Sequence, residues 1–159
     1  MIKNYLWIFF ISMVPLIELR GAIPVSQALQ MPIIPSYIVS IIGNMLPVPV
    51  IYFFARKVLE WGADKKFIGK IFTAILVKGT NAGQKIQEKA GKGFFIALFL
   101  FVGVPLPGTG AWTGTLAASL LGLSFKETVI AVILGVLLAG LIMMAGSFGL
   151  FSALFAISG

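Results

Sequence analysis

Two residues able to do chemistry stand two positions apart in an apolar setting. Glu18 and Arg20 lie within "VPLIELRGAIPVS", residues 14 to 26. Each charge at the centre of a bilayer costs roughly 2.5–3.5 kcal/mol on insertion scales, and intramembrane ionisable groups commonly line substrate or ion paths. A carboxylate there can carry a proton, and the planar fork of a guanidinium can grip an oxyanion such as phosphate with two hands. On a helix, positions i and i+2 do not face each other, whereas on extended backbone they project to one side. An extended "ELR" at the tip of a broken hairpin would therefore aim both groups into one cavity. The alternatives are a structural ion pair, or caps on broken helix ends. Glu18 is also the only carboxylate outside residues 56–92 and the 126–127 loop, which makes it the proton-coupling group expected inside the membrane.

A second constellation follows in "GVPLPGTGAWTG". Pro105 and Pro107 remove amide donors, so a helix passing straight through would break there. Gly108 and Gly110 loosen the turn, and Thr109, Thr113 and the Trp112 indole offer hydrogen bonds. Thr109 suits the N-cap of an arm starting near Ala111, and Pro24 suits the first position of its own arm. Two half-helix N-termini would then point at the midplane, where such ends favour anions. Asn44, with Pro47 and Pro49, marks either an unwound polar wall or a contact between helices. "GTGAWTG" is not a phosphate loop, because no lysine follows its last glycine.

These groups need positioning elements, and composition names their solvent. Of 159 residues, 59% are hydrophobic and 11% charged, against about 25% charged in soluble domains. The chain is an all-α integral membrane protein with one membrane domain, 1–159. It contains no histidine and no cysteine, which excludes imidazole and thiol chemistry. No nucleophile–base set, metal cluster or nucleotide loop is present, so neither enzymatic activity nor a cofactor is expected. Residues 56–92 hold nine of the basic residues against three acids, +6 of the net +7. The positive-inside rule makes this linker cytoplasmic. In it Phe67, Ile68, Ile71, Phe72 and Ile75 recur at helical spacing opposite Lys65, Lys66 and Lys70, as in a helix lying on an anionic lipid surface rather than on nucleic acid. The apolar run at the N-terminus lacks a small-x-small cleavage pattern, so its retention is expected.

Residues 36–55 and 128–146 are long enough to span the hydrocarbon core, which takes about 20 residues in a helix. "GSFG" then offers a bend before a C-terminal extension. The arms 93–104 and 111–123 stop short of the far side, which predicts a re-entrant hairpin over 93–123. The same plan holds at the N-terminus: a hairpin over 5–30, with arm 5–17 and "ELRGAIP", including Gly21, as its break. The chain thus reads as two repeats, 1–55 and 93–159, related by inversion as in many secondary transporters. Four kinked helices in a bundle are the simpler alternative. Ala131, Gly135 and Ala139 form a small-residue stripe, for packing on the chain's own hairpin or in a homodimer.

"ELRGAIP" and "GVPLPGTGAWTG" together resemble the small multidrug export family, itself distantly similar to the DedA, or VTT-domain, membrane proteins. The resemblance covers essentially the whole chain. It implies two re-entrant loops facing each other and a transport role. DedA-type relatives are implicated in moving lipid-linked phosphate carriers, with phenotypes that depend on the proton-motive force. The second loop here has no charge, so their charged-loop mechanism carries over only at Glu18 and Arg20. The expected function is a small transporter or lipid flippase for a substrate with an anionic head, proton-coupled through Glu18. Export of cationic amphipathic drugs with Glu18 as counter-charge is the alternative, and a non-transporting membrane scaffold is another.

Overall fold

The computed structural model describes residues 2–65, 69–74, 76–78, 81 and 93–158, with side chains through Gly149. Among the described residues there are helices and turns and no strand. Seven helices have both ends among the described residues: α1 Ile2–Met13, α2 Glu18–Ala28, α3 Ile33–Met45, α4 Pro47–Ala63, α5 Gly93–Gly103, α6 Ala111–Leu120 and α7 Phe125–Ser158; residues 69–74 and 76–78 are helical as well. Phe67, Ile68 and Ile75 of the proposed surface helix, with most of the stretch after Lys78, lie outside the described residues.

Two helical stretches are long and apolar enough to cross a membrane: Ile33–Ala63, which joins α3 and α4, and Phe125–Gly149 of α7. Both exceed the spans expected from sequence. Leu46, between α3 and α4, keeps α-helical angles and donates to Ile42 O at 3.1 Å. Asn44 is therefore helical and not part of an unwound wall, and Pro47 costs one hydrogen bond without breaking the rod. The rod then continues to Ala63, past the expected start of the linker. At the other end α7 runs through "GSFG", so the expected bend there is absent.

The outer surface is inverted relative to a soluble protein. Along the α3–α4 rod Ile38, Ile42, Leu46 and Val50 are each more than half exposed, while Ser36, Ser40 and Asn44 are buried. Such a continuous exposed apolar face needs lipid, and the chain is a membrane protein.

The other four helices are too short to span. At 10 to 12 residues each, they reach about 15–18 Å against a core of about 30 Å. The second pair breaks where Pro105 and Pro107 dictate. The first pair breaks at Val14–Ile17, around Pro15, and not at "ELRGAIP", which is helical. Pro24 accordingly sits inside α2 and does not start an arm.

Both short pairs are built alike. The first arm lies on its own half's long helix (α1 on α3, α5 on α7), and the second arm lies between the two: α2 on α7 and, to a similar extent, on α3, and α6 on α4 and less extensively on α7. A glycine permits each first-arm crossing. A Cβ on Gly43 would strike Ser12 Oγ and the Phe9 carbonyl, and one on Gly135 would meet Val102 at 2.7 Å and the Phe99 carbonyl at 2.9 Å. The Ala131–Gly135–Ala139 stripe is thus spent inside the chain. Each second arm closes with the same Schellman turn. Gln30 (φ 53°) follows α2, with Met31 N–H donating to Ser26 O at 2.9 Å; Gly122 (φ 74°) follows α6, with Leu123 N–H donating to Ala118 O at 3.0 Å. After the second turn Ser124 caps α7, its hydroxyl accepting from Glu127 N–H at 3.3 Å and donating to that side chain at 2.8 Å. One interval separates Gln30 from Gly122, Ile33 from Phe125, and Gly43 from Gly135.

Candidate functional site

The breaks of the two short pairs meet, and each is closed by side chains from the other half. Glu18 opens α2 and is 3% exposed. Its Oε2 accepts from Ala111 N–H at 3.1 Å and its Oε1 from Trp112 N–H at 2.9 Å. A carboxylate thus fills the amide cluster at the start of α6, where the helix dipole favours negative charge. Glu18 itself sits at φ 52°, a left-handed conformation costing a non-glycine residue about 1–3 kcal/mol. That strain accompanies an aim at α6 that a regular first turn would not give.

Arg20 does the converse at the other helix end. Its Nη2 donates to Val102 O at 3.0 Å and Val104 O at 3.2 Å, where α5 runs out of amide partners. Its Nη1 donates to Leu106 O at 2.6 Å, to Thr109 Oγ1 at 2.9 Å and to the Thr109 carbonyl. A cation over the carbonyl end of a helix is again the sign the dipole prefers. The Arg20 Nε is buried without a partner.

Glu18 and Arg20 therefore do not pair; among the described residues the one ion pair is Arg56–Glu60 at 2.9 Å. Because "ELR" is helical, the two side chains diverge, as i,i+2 neighbours on a helix must. Of the readings left open by sequence, capping of broken helix ends is the one observed. It also alters the expectation of a free anion site at the α6 N-terminus, since Glu18 occupies that end. Thr109 is not the N-cap of α6: Gly110 is, at φ 149°. A Cβ on Gly110 would overlap the Glu18 carboxylate, so only glycine admits the acid. Thr109 instead ties the loop to itself and to Arg20, its hydroxyl donating toward Val104 O at 3.0 Å and Leu106 O at 2.9 Å.

Trp112 closes the first pair. Its Nε1 donates to Met13 O, at the end of α1, at 3.1 Å. Arg20 and Trp112 are thus counterparts, each on a second arm, each capping the C-terminus of the opposite half's first arm. They are separated by the same interval as the paired turns and glycines above.

A groove of about 320 Å³ opens beside this junction, lined by Ile17, Arg20, Gly21, Pro105–Gly108 and Met143 among others. Five residues singled out from sequence (Arg20, Gly21, Pro105, Pro107, Gly108) meet there. Glu18, Thr109, Gly110 and Trp112 form the junction behind it. Asn44 is fully buried beside Glu18, and neither of its amide atoms makes a hydrogen bond of full geometry to any protein group. Two expected residues stand apart: Pro24 in the body of α2, and Thr113, whose hydroxyl lies 3.5 Å from Gly110 O. Sequence reasoning missed Leu16, Ile17 and Met143 as groove walls, although Pro15 signalled a break beside the first two. No curated protein and no solved structure matches the chain. A family model described as putative small multi-drug export protein matches residues 18–142, from Glu18 through the junction and most of the apolar part of α7, and the chain belongs to that family.

Proposed function

We propose that this protein is a secondary transporter for small amphipathic molecules with an anionic head, such as a lipid phosphate, entering at the groove beside Arg20. One observation carries the choice of charge: Arg20 lines the groove, whereas Glu18 is buried behind it with both oxygens bonded to α6. A cationic drug using Glu18 as counter-charge would have to dismantle the α6 cap first. An anionic head instead competes with neutral carbonyls for the guanidinium, and charge-assisted bonds are roughly twice as strong as neutral ones. Drawing Arg20 away frees the end of α5 and the 104–109 loop, which links binding to opening of the junction.

The short pairs are re-entrant hairpins in this reading, and the halves 1–55 and 93–159 form an inverted repeat. The reciprocal packing of first and second arms, the shared turns and the matched Arg20 and Trp112 caps support it. Irregular backbone at membrane depth is tolerated only inside protein or along a cavity, and two breaks that close each other meet that demand. The basic linker lies on the anionic cytoplasmic leaflet, the termini lie opposite, Glu18 couples transport to protons, and two copies associate.

The test uses purified protein in liposomes, with dodecyl phosphate and dodecylammonium as probes in counterflow. Faster exchange of the phosphate, lost in Arg20→Gln and partly kept in Arg20→Lys, is expected, because lysine lacks the planar fork. Preference for the ammonium would reverse the assigned charge, and no exchange of either would favour a scaffold.

A further inference from the structure

The α3–α4 rod turns a polar edge inward. Ser36, Ser40 and Asn44 recur every four residues and are all fully buried. Helix α6 continues this edge. Asn44 stands beside Glu18, which is bonded to Ala111, and one step of eight further along both chains Ser119 Oγ donates to Tyr52 O at 2.6 Å. The two helices therefore run parallel and in register, which places buried Thr115 level with Val48, between Asn44 and Ser119. From Ser36 to the level of Ser119 the file covers about 24 Å of rise at 1.5 Å per residue, most of a hydrocarbon core of about 30 Å.

Four polar atoms in the middle of this file make no hydrogen bond of full geometry to any protein group: Ser40 Oγ, both amide atoms of Asn44, and Thr115 Oγ1. Leaving such groups buried and unpaired is costly. Neighbours one helical turn apart are about 5–6 Å from each other, the distance that a single water spans with two hydrogen bonds of about 2.8 Å. The fold itself does not need polarity there. At the same interval that relates the two halves, Ser40 and Asn44 correspond to Val132 and Val136 of α7, both fully buried and apolar.

We propose that this file is a water-bridged proton path through the protein, with Glu18 as its central proton carrier. A proton reaches the Glu18 carboxylate along Ser36, Ser40 and Asn44 and leaves toward Thr115 and Ser119, or the reverse. Each step passes one O–H proton from a hydroxyl or a bridging water to the next oxygen, with no redox partner; Asn44 has no O–H and holds its bridging water in line. Arg20 is the one charged neighbour of Glu18, on the same helix. Among the described residues α3 and α6 bring no charged side chain against it, and the charged residues of α1 and α7 stand at their first turns. Tyr37 and Tyr52, the titratable groups of the rod nearest the file, donate to Leu137 O and Leu123 O. The path goes beyond the transport reading, since it predicts proton movement that needs no substrate.

The experiment loads liposomes with a pH-reporting dye, clamps the potential with potassium and valinomycin, and imposes a pH gradient with and without dodecyl phosphate. Proton flux above protein-free liposomes is expected in both conditions. Thr115→Val, which keeps side-chain shape, and Asn44→Leu should each cut it at least about tenfold, the effect of one lost bridging bond on a barrier. Circular dichroism and size-exclusion profiles confirm that these variants are folded. Flux equal to protein-free liposomes in the absence of dodecyl phosphate, or unchanged in folded Thr115→Val, overturns the path. So does flux that follows a sodium gradient and ignores pH. Dodecyl phosphate exchange without a gradient reports on the transport reading separately, so either can fail alone.

Discussion

Neutralising Glu18 and Arg20 together distinguishes two opposed caps from an ion pair. In Glu18→Gln the side chain keeps one acceptor, so one of the Ala111 and Trp112 amides faces an NH₂ group instead of an oxygen. The loss combines an unsatisfied buried donor at about 1–3 kcal/mol with a charge–dipole contribution of about 0.3–1 kcal/mol, so about 2–4 kcal/mol is expected. In Arg20→Gln the carbonyls of Val102, Val104, Leu106 and Thr109 lose their shared donor. Two of those bonds lie at the exposed rim, where solvent compensates in part, so about 1–3 kcal/mol is expected. For an ion pair the double variant would recover stability, because no lone buried charge remains. For two caps serving different helix ends, the double variant is less stable than either single one. Thermal unfolding in mild detergent, followed by circular dichroism, reads this directly; about 2–4 °C per kcal/mol applies at this chain length. A double variant melting within a degree or two of the unmodified protein would refute the capping account.

Gly110→Ala should cost about as much as Glu18→Gln, because its Cβ overlaps the carboxylate. Gly108→Ala, at φ 80° with open space around it, should cost only the backbone penalty of about 1–2 kcal/mol; equal losses in a melting comparison would contradict the assigned contact. Trp112→Phe removes the bond to Met13 O and should lower stability by about 0.5–1.5 kcal/mol; an unchanged melting temperature argues against that bond. The chain has no native cysteine, so single cysteines at Ser124 and Gly83 can be probed with an impermeant thiol reagent. Re-entrant hairpins place both on one side of the membrane, and labelling from opposite sides would sink that topology.

What the sequence settles here is what depends on solvent and on local backbone chemistry. Every backbone donor and acceptor needs a partner in lipid, which leaves helices or closed barrels, and continuous apolar runs of about 20 residues select helices. Pro105 and Pro107 withhold amides whatever surrounds them, so the second break was legible residue by residue. Pro15 withholds one just as surely, yet the charges of "ELRGAIP" drew the first break onto a segment that is helical. Its helicity follows from partners far away in the chain: Glu18 meets Ala111 and Trp112, and Arg20 meets the ends of α5 and its loop. No local rule ranks an acid as the cap of a helix more than ninety residues away. The tertiary structure alone decides that the two charges point apart, that Trp112 answers Arg20 from the other half, and that the groove sees the guanidinium and not the carboxylate. The same holds for the inward edge of the α3–α4 rod. Its four-residue spacing is written in the chain, but that lipid takes the isoleucines and the core takes the serines and Asn44 depends on what packs against each face.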